Sequence, residues 1–197
     1  MNLAPLASKR AIYADLEAVP SNLVAEIIFG SLVTHPRPAP RHAAASSALG
    51  GELNGPFQKG TGGPGGWVFL DERELHLGEH VVVPDLAGWR RERLPVLPET
   101  AWLEMPPDWI CGVLSDSTER YDRVEKRRIY AKAGVAHLWL LDPRVQVLEV
   151  FTLASRQWQL AGTISGADEV SAPPFESHRF SLSLLWPFDP PAETKAE

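Results

Sequence analysis

Apolar and polar positions recur along the chain with changing periods, and the periods mark the elements. In residues 8–18 and just beyond, Ile12, Leu16 and Val19 fall at helical spacing and Pro20 stops the pattern, which predicts a short packing helix. Residues 23–34 read LVAEIIFGSLVT, two β-rich halves around Phe29-Gly30-Ser31, and predict a hairpin in which Glu26 sits among apolar neighbours. After a stiff proline-rich connector at 36–40, the alanine-rich stretch 41–53 predicts a helix that frays at Gly50 and Gly51. The run GTGGPGG at 60–66 is a loop. Strands are predicted at 67–70 and at 81–89, the second a nearly continuous apolar run broken by Pro84-Asp85 that suits the middle of a sheet.

Residues 109–115 form a further apolar run, followed by a charged helix at 119–133 that Gly134 ends and by an apolar strand at 137–141. That succession is a βαβ crossover and predicts parallel strands. From Val145 the pattern alternates with period two in two blocks, an antiparallel hairpin turning near Ala154-Ser155, and 181–186 closes the domain. The whole predicts a single α/β domain over 1–190 with a mixed sheet flanked by helices and additional antiparallel hairpins, and a disordered tail at 191–197.

Composition narrows the classes. The 197 residues are 44% apolar and 22% charged, values that exclude wholesale disorder and fibrous repeats. A lone cysteine excludes an intrachain disulfide framework, and the histidine spacing offers no zinc motif, so any metal is expected on oxygen ligands. The N-terminal stretch lacks the apolar core of a signal peptide and no run approaches the roughly 18 residues of a membrane span, so a cytoplasmic protein with no membrane contact is expected. A net charge of −6 argues against a generally basic coat, and a polyanionic partner would need a local patch.

Two residues draw attention on chemical grounds. Asp85, inside VVVPDLAGW, is costly to bury without a cation or hydrogen bonds, so it marks either a site or a capped turn at a strand end. On a wheel of about 100° per residue, Lys126 shares a stripe with Asp122, Ile129 and Tyr130. Its ammonium either projects inward or pairs with Asp122 at i, i+4 while the stem snorkels outward. Arg120, Arg123, Arg127, Arg128 and Lys132 make this helix the densest basic stretch, read either as phosphate contacts or as a solvated face. Cys111 has no nucleophile context, His137 packs, and His42 is structural or touches substrate.

The ordered set Ala25-Glu26-Ile27-Ile28 with Gly30, Arg41-His42, Val83-Pro84-Asp85-Leu86-Ala87-Gly88-Trp89, Pro107-Asp108-Trp109, Val113-Leu114-Ser115-x-Ser117-Thr118, Asp122, Lys126, Tyr130, Gly134-Val135 and Leu138-Trp139-Leu140-Leu141-Asp142-Pro143 resembles the Uma2 family, also called DUF820. That family is regarded as restriction endonucleases with a PD-(D/E)XK core. The resemblance implies Mg²⁺ (or Mn²⁺) held by carboxylates against a DNA phosphodiester, with a lysine stabilising developing charge. Asp85 matches the metal-binding aspartate, Glu26 an auxiliary acid on the metal, and Lys126 a lysine moved to the following helix. His42, Arg123 and Arg127 become candidate substrate contacts, and a homodimer is an open arrangement. One departure stands out: Gly112 occupies the position of the second metal-binding glutamate, with Asp116 a new carboxylate nearby. The implied function is a Mg²⁺-dependent endonuclease with weakened turnover. The alternative is a catalytically impaired nuclease-fold protein that binds nucleic acid or a protein partner.

Overall fold

The computed structural model describes residues 10–188. A short helix α1 (Tyr13–Glu17) precedes the hairpin of β1 (Leu23–Ile28) and β2 (Ser31–Pro36), whose two-residue turn puts Phe29 and Gly30 at positive φ. The expected helix starts before the described residues, and the tail at 191–197 lies outside them. Helix α2 (Pro40–Leu53) begins with Pro40 in its first turn and, contrary to the expected fraying, runs through both glycines into a π-helical turn over Asn54–Lys59. Burial of Leu49, Leu53 and Phe57 on one face outweighs the glycine cost, and Gly60 in the left-handed region ends the helix.

Strands β3 (Trp67–Asp71), β4 (Glu74–Leu77), β5 (His80–Val82) and β6 (Leu86–Arg90) follow. The run read as one interrupted strand is therefore two, and they belong to different sheets. β7 (Trp102–Leu103), β8 (Trp109–Val113), a π-helical turn over Tyr121–Lys126, α3 (Arg127–Ala133) and β9 (His137–Asp142) complete the crossover. β10 (Val147–Ala154) and β11 (Gln157–Ser165) form the second hairpin. The short pair β12 (Glu169–Val170) and β13 (Phe180–Ser181), with a 3₁₀ turn over Leu182–Leu185, ends the described chain.

One sheet has the order β2-β1-β5-β4-β7 and the other β11-β10-β9-β8-β6-β3. In the second, β8 and β9 are parallel, as the crossover requires, and the remaining pairs are antiparallel. Period-two alternation sorts its side chains between two cores. Trp109, Cys111 and Val113 of β8 join Leu49, Leu53 and Phe57 on the α2 side; Ile110 and Leu114 join Ile129 and Tyr130 on the α3 side. Position 112 thus faces the crossover helix. No helix among the described residues is long and apolar enough to cross a membrane.

Gly88 reports how tightly β3, β6 and β8 are packed. A Cβ there would lie 2.9 Å from Phe69 Cε1 and 3.2 Å from Trp109 Cε3, and the Phe69 ring is stacked on Trp67 and cannot easily yield. Gly88→Ala is expected to cost about 1–3 kcal/mol by overpacking, read as a lower urea midpoint.

Candidate active site

The seam between the sheets assembles a charged pocket from four segments of the chain. Val83, Pro84 and Asp85 connect β5 to β6, and their backbone leaves one sheet to enter the other. Glu26 comes from β1, His42 from the first turn of α2, and Asp122 and Lys126 from the π-helical turn after β8. A cavity of about 310 Å³ is lined by His42, Asp85, Ser115, Asp122 and Lys126 among others.

Lys126 sits at the centre, only 4% exposed, with Nζ 2.8 Å from Glu26 Oε1 and 3.1 Å from Asp122 Oδ1. Both readings of its stripe therefore hold at once: it projects inward and it pairs with Asp122, but it does not snorkel. Burial alone would lower the ammonium's pKa; Asp122 and Glu26 override it and hold the pKa well above the ordinary value. Glu26 also accepts the Val83 N–H at 2.7 Å, and His35 Nε2 stands 3.6 Å from its other oxygen. Burial would push this carboxyl up, yet the Lys126 charge and the hydrogen bonds keep it below the usual range. Asp122 goes the other way. Its burial dominates over Lys126 and the Thr118 hydroxyl, and the nearby Asp85 and Glu26 charges add to the upward shift.

Asp85 accepts the Val113 N–H at 2.7 Å on Oδ2, and His42 Nε2 lies 3.1 Å from Oδ1. It is thus both a satisfied seam residue and a wall of the pocket. Burial lowers the His42 pKa, but the hydrogen bond and charge of Asp85 more than reverse this, so it lies above the ordinary 6.5. A raised folded-state pKa means that the contact contributes stability fully present below the unfolded value, about 6.5, and lost as pH rises through the folded value. Urea midpoints of the native protein should therefore fall as pH rises above about 6.5, and His42→Gln should flatten that dependence.

Ser115 turns the chain into the helix: its carbonyl accepts N–H groups of Thr118 and Glu119, and its hydroxyl lies 3.0 Å from that of Thr118. Of the other expected contributors, Asp116 lies at the rim of the pocket, largely exposed and paired with Arg144. Arg123 and Arg127 do not line the pocket: Arg123 binds Glu119 and Glu149, and Arg127 covers Phe151 at 4.2 Å. Cys111 is fully buried and its thiol is pushed well up, chiefly by burial, so it is no nucleophile at neutral pH. Asp122 was legible as a helix partner of Lys126 but not as a pocket acid, and His35 gave no signal at all. The signal for Asp122 was the i, i+4 spacing combined with the apolar stripe it shares.

These donors do not fit a divalent ion. Among the described residues no three histidine, cysteine, aspartate or glutamate groups stand together as metal ligands. Asp85 spends both oxygens on His42 and the Val113 amide, and Glu26 is held by Lys126 and the Val83 amide. A Cβ at position 112 would point at this cluster, 4.0 Å from the Asp122 carboxylate and 3.5 Å from Leu140 Cδ2, but glycine places no donor there.

A family model named Uma2 and described as "Putative restriction endonuclease" matches residues 11–184. The chain belongs to the Uma2 family. Among solved structures, it is similar to one described as "a putative nuclease belonging to DUF820" from Anabaena variabilis. The identity is 22%, with 88% of this chain and 95% of that one covered and a TM-score of 0.71. That likeness bears out the expected mixed-sheet, nuclease-like α/β fold of this Uma2 chain. No curated protein matches.

Proposed function

We propose that this protein is a catalytically impaired nuclease of the Uma2 family, built to act on DNA phosphodiesters at the Asp85 pocket. Asp85 and Glu26 are its acids, Lys126 is its charge stabiliser, and Mg²⁺ or Mn²⁺ is the ion that the missing acid would help to hold. The observation that carries this reading is the direction of position 112. It lies on the helix-facing side of β8, and its Cβ vector meets the Asp122 carboxylate at 4.0 Å. A glutamate there would add a carboxylate to the pocket, whereas glycine leaves three acids engaged by protein donors and, among the described residues, no ligand set. The pocket is also net negative, with Glu26, Asp85 and Asp122 against Lys126 and a protonatable His42, so a phosphodiester anion is poorly held without a compensating cation.

The test is plasmid nicking with Mn²⁺ or Mg²⁺ by the native protein, Gly112→Glu, and Gly112→Glu carrying Asp85→Asn. Weak or absent activity in the native protein, a gain with the glutamate and its loss with the second substitution are expected. Equal inertness of all three would overturn the reading.

A further inference from the structure

The pairing of cations over the molecule is uneven. Arg10, Arg37, Arg93, Arg120, Arg123, Arg144 and Arg179 each have a carboxylate partner. Arg127, Arg128, Lys132 and Arg156 form no ion pair among the described residues; Lys59, Arg73, Arg90 and Arg91 share that trait, but only these four gather, beside the acid-paired Arg123, on one concave surface between the outer face of α3 and the β10–β11 hairpin. The groove measures about 570 Å³ and lies outside the pocket that holds Asp85 and Lys126. In a chain of net charge −6, the groove gathers five cations, and although Glu119 and Glu149 pair with Arg123 and Glu149 also attracts Arg127, the surface keeps a local excess of positive charge that suits an anionic ligand.

The arrangement is also preorganised and aromatic. The Arg127 guanidinium lies 4.2 Å over the Phe151 ring and that of Arg128 5.1 Å over Phe29, so both are oriented by cation–π contact. Trp158 donates its indole N–H to the Arg127 carbonyl at 2.8 Å, which fixes a half-buried ring at the groove wall. Arg156 stands in the two-residue hairpin turn at positive φ. Planar guanidinium groups beside a fixed indole suit a ligand with both phosphates and ring faces; an acidic peptide would use the charge and leave the ring idle.

We infer that the groove formed by Arg127, Arg128, Lys132, Arg156 and Trp158 binds a single nucleic-acid strand through its phosphate backbone, with the indole as a stacking surface. The groove works independently of the acid pocket and goes beyond the nuclease reading, since it needs neither a divalent ion nor Gly112 to change. In EDTA, a fluorescently labelled thymidine oligonucleotide should bind the native protein, with log affinity falling by about 0.7 per phosphate contacted for each unit of log salt concentration. Arg128→Gln combined with Arg156→Gln should weaken binding at least about ten-fold and reduce the salt slope by about 1.4, two contacts at about 0.7 each. Lys132→Gln, also at an exposed position, should shift both in the same direction and guards against a folding defect in the double variant. Absence of binding by the native protein, variants that bind as the native does, or displacement of the oligonucleotide by polyglutamate as effectively as by unlabelled strand would each overturn the assignment. Nicking by Gly112→Glu reads the pocket, whereas strand binding in EDTA reads the groove, so either can fail alone.

Discussion

Gly112→Glu is expected to convert a protein indifferent to divalent ions into one that both gains activity and is stabilised by them. The strand can accept the side chain. The new Cβ would meet only ordinary van der Waals neighbours, at 3.5 Å from Leu140 and 4.0 Å from Asp122, and replacing a strand glycine removes an entropic cost of roughly 0.5–1 kcal/mol. What it adds is a fourth carboxylate beside Glu26, Asp85 and Asp122, so without metal the variant should melt below the native protein through like-charge repulsion. With Mn²⁺ at about a hundred times its dissociation constant, the same variant should recover about 2.7 kcal/mol, while the native melting temperature stays still. Nicking should rise by at least about 10²-fold, the scale on which single electrostatic groups act in active sites. Thermal melts with and without Mn²⁺ give the coupling, and plasmid assays give the rate. If Mn²⁺ shifts neither melt, the vacated-acid account of position 112 is wrong.

Lys126→Met is expected to be the most destabilising single change in the pocket. The substitution keeps the stem's volume and removes the charge, leaving Glu26 and Asp122, which are 1% and 7% exposed, without their shared cation. Breaking a buried ion pair in this one-sided way costs about 3–5 kcal/mol, because an uncompensated charge stays in the interior or must take up a proton. Adding Glu26→Gln should restore part of the loss, a non-additivity that a double-mutant cycle in urea measures directly. A cost below about 1 kcal/mol, the scale of an exposed pair, would place the ammonium in solvent.

Much of this architecture was legible from period alone. The β8–α3–β9 crossover, both hairpins and the loop of glycines follow from alternation, a charged amphipathic stretch and turn residues, all local signals. The failures were non-local. Pro84-Asp85 was visible as an interruption, but nothing local says that Val81 and Val82 pair with one sheet while Leu86 to Arg90 pair with another. The fraying expected at Gly50 and Gly51 is overruled by Leu49, Leu53 and Phe57 packing against Trp67 and Phe175, residues distant in sequence. In the site, Asp85 stood out because a carboxylate in an apolar run is expensive, and Lys126 because of its stripe. Asp116 was legible only as a carboxylate near position 112 in sequence; it does reach the rim of the pocket, where its partner is Arg144, distant in sequence and so invisible beforehand.

The seam has a consequence for how acids of this kind persist. Asp85 grips the Val113 amide and Glu26 grips the Val83 amide, so each carboxylate rivets backbone across elements, and Lys126 neutralises what the rivets bury. Gly112, which has no side chain, carries no such duty. A change at 112 therefore leaves every one of these fastenings in place, whereas a change at Asp85, Glu26 or Lys126 undoes one. The three side chains thus hold the two sheets to each other before any chemistry is asked of them.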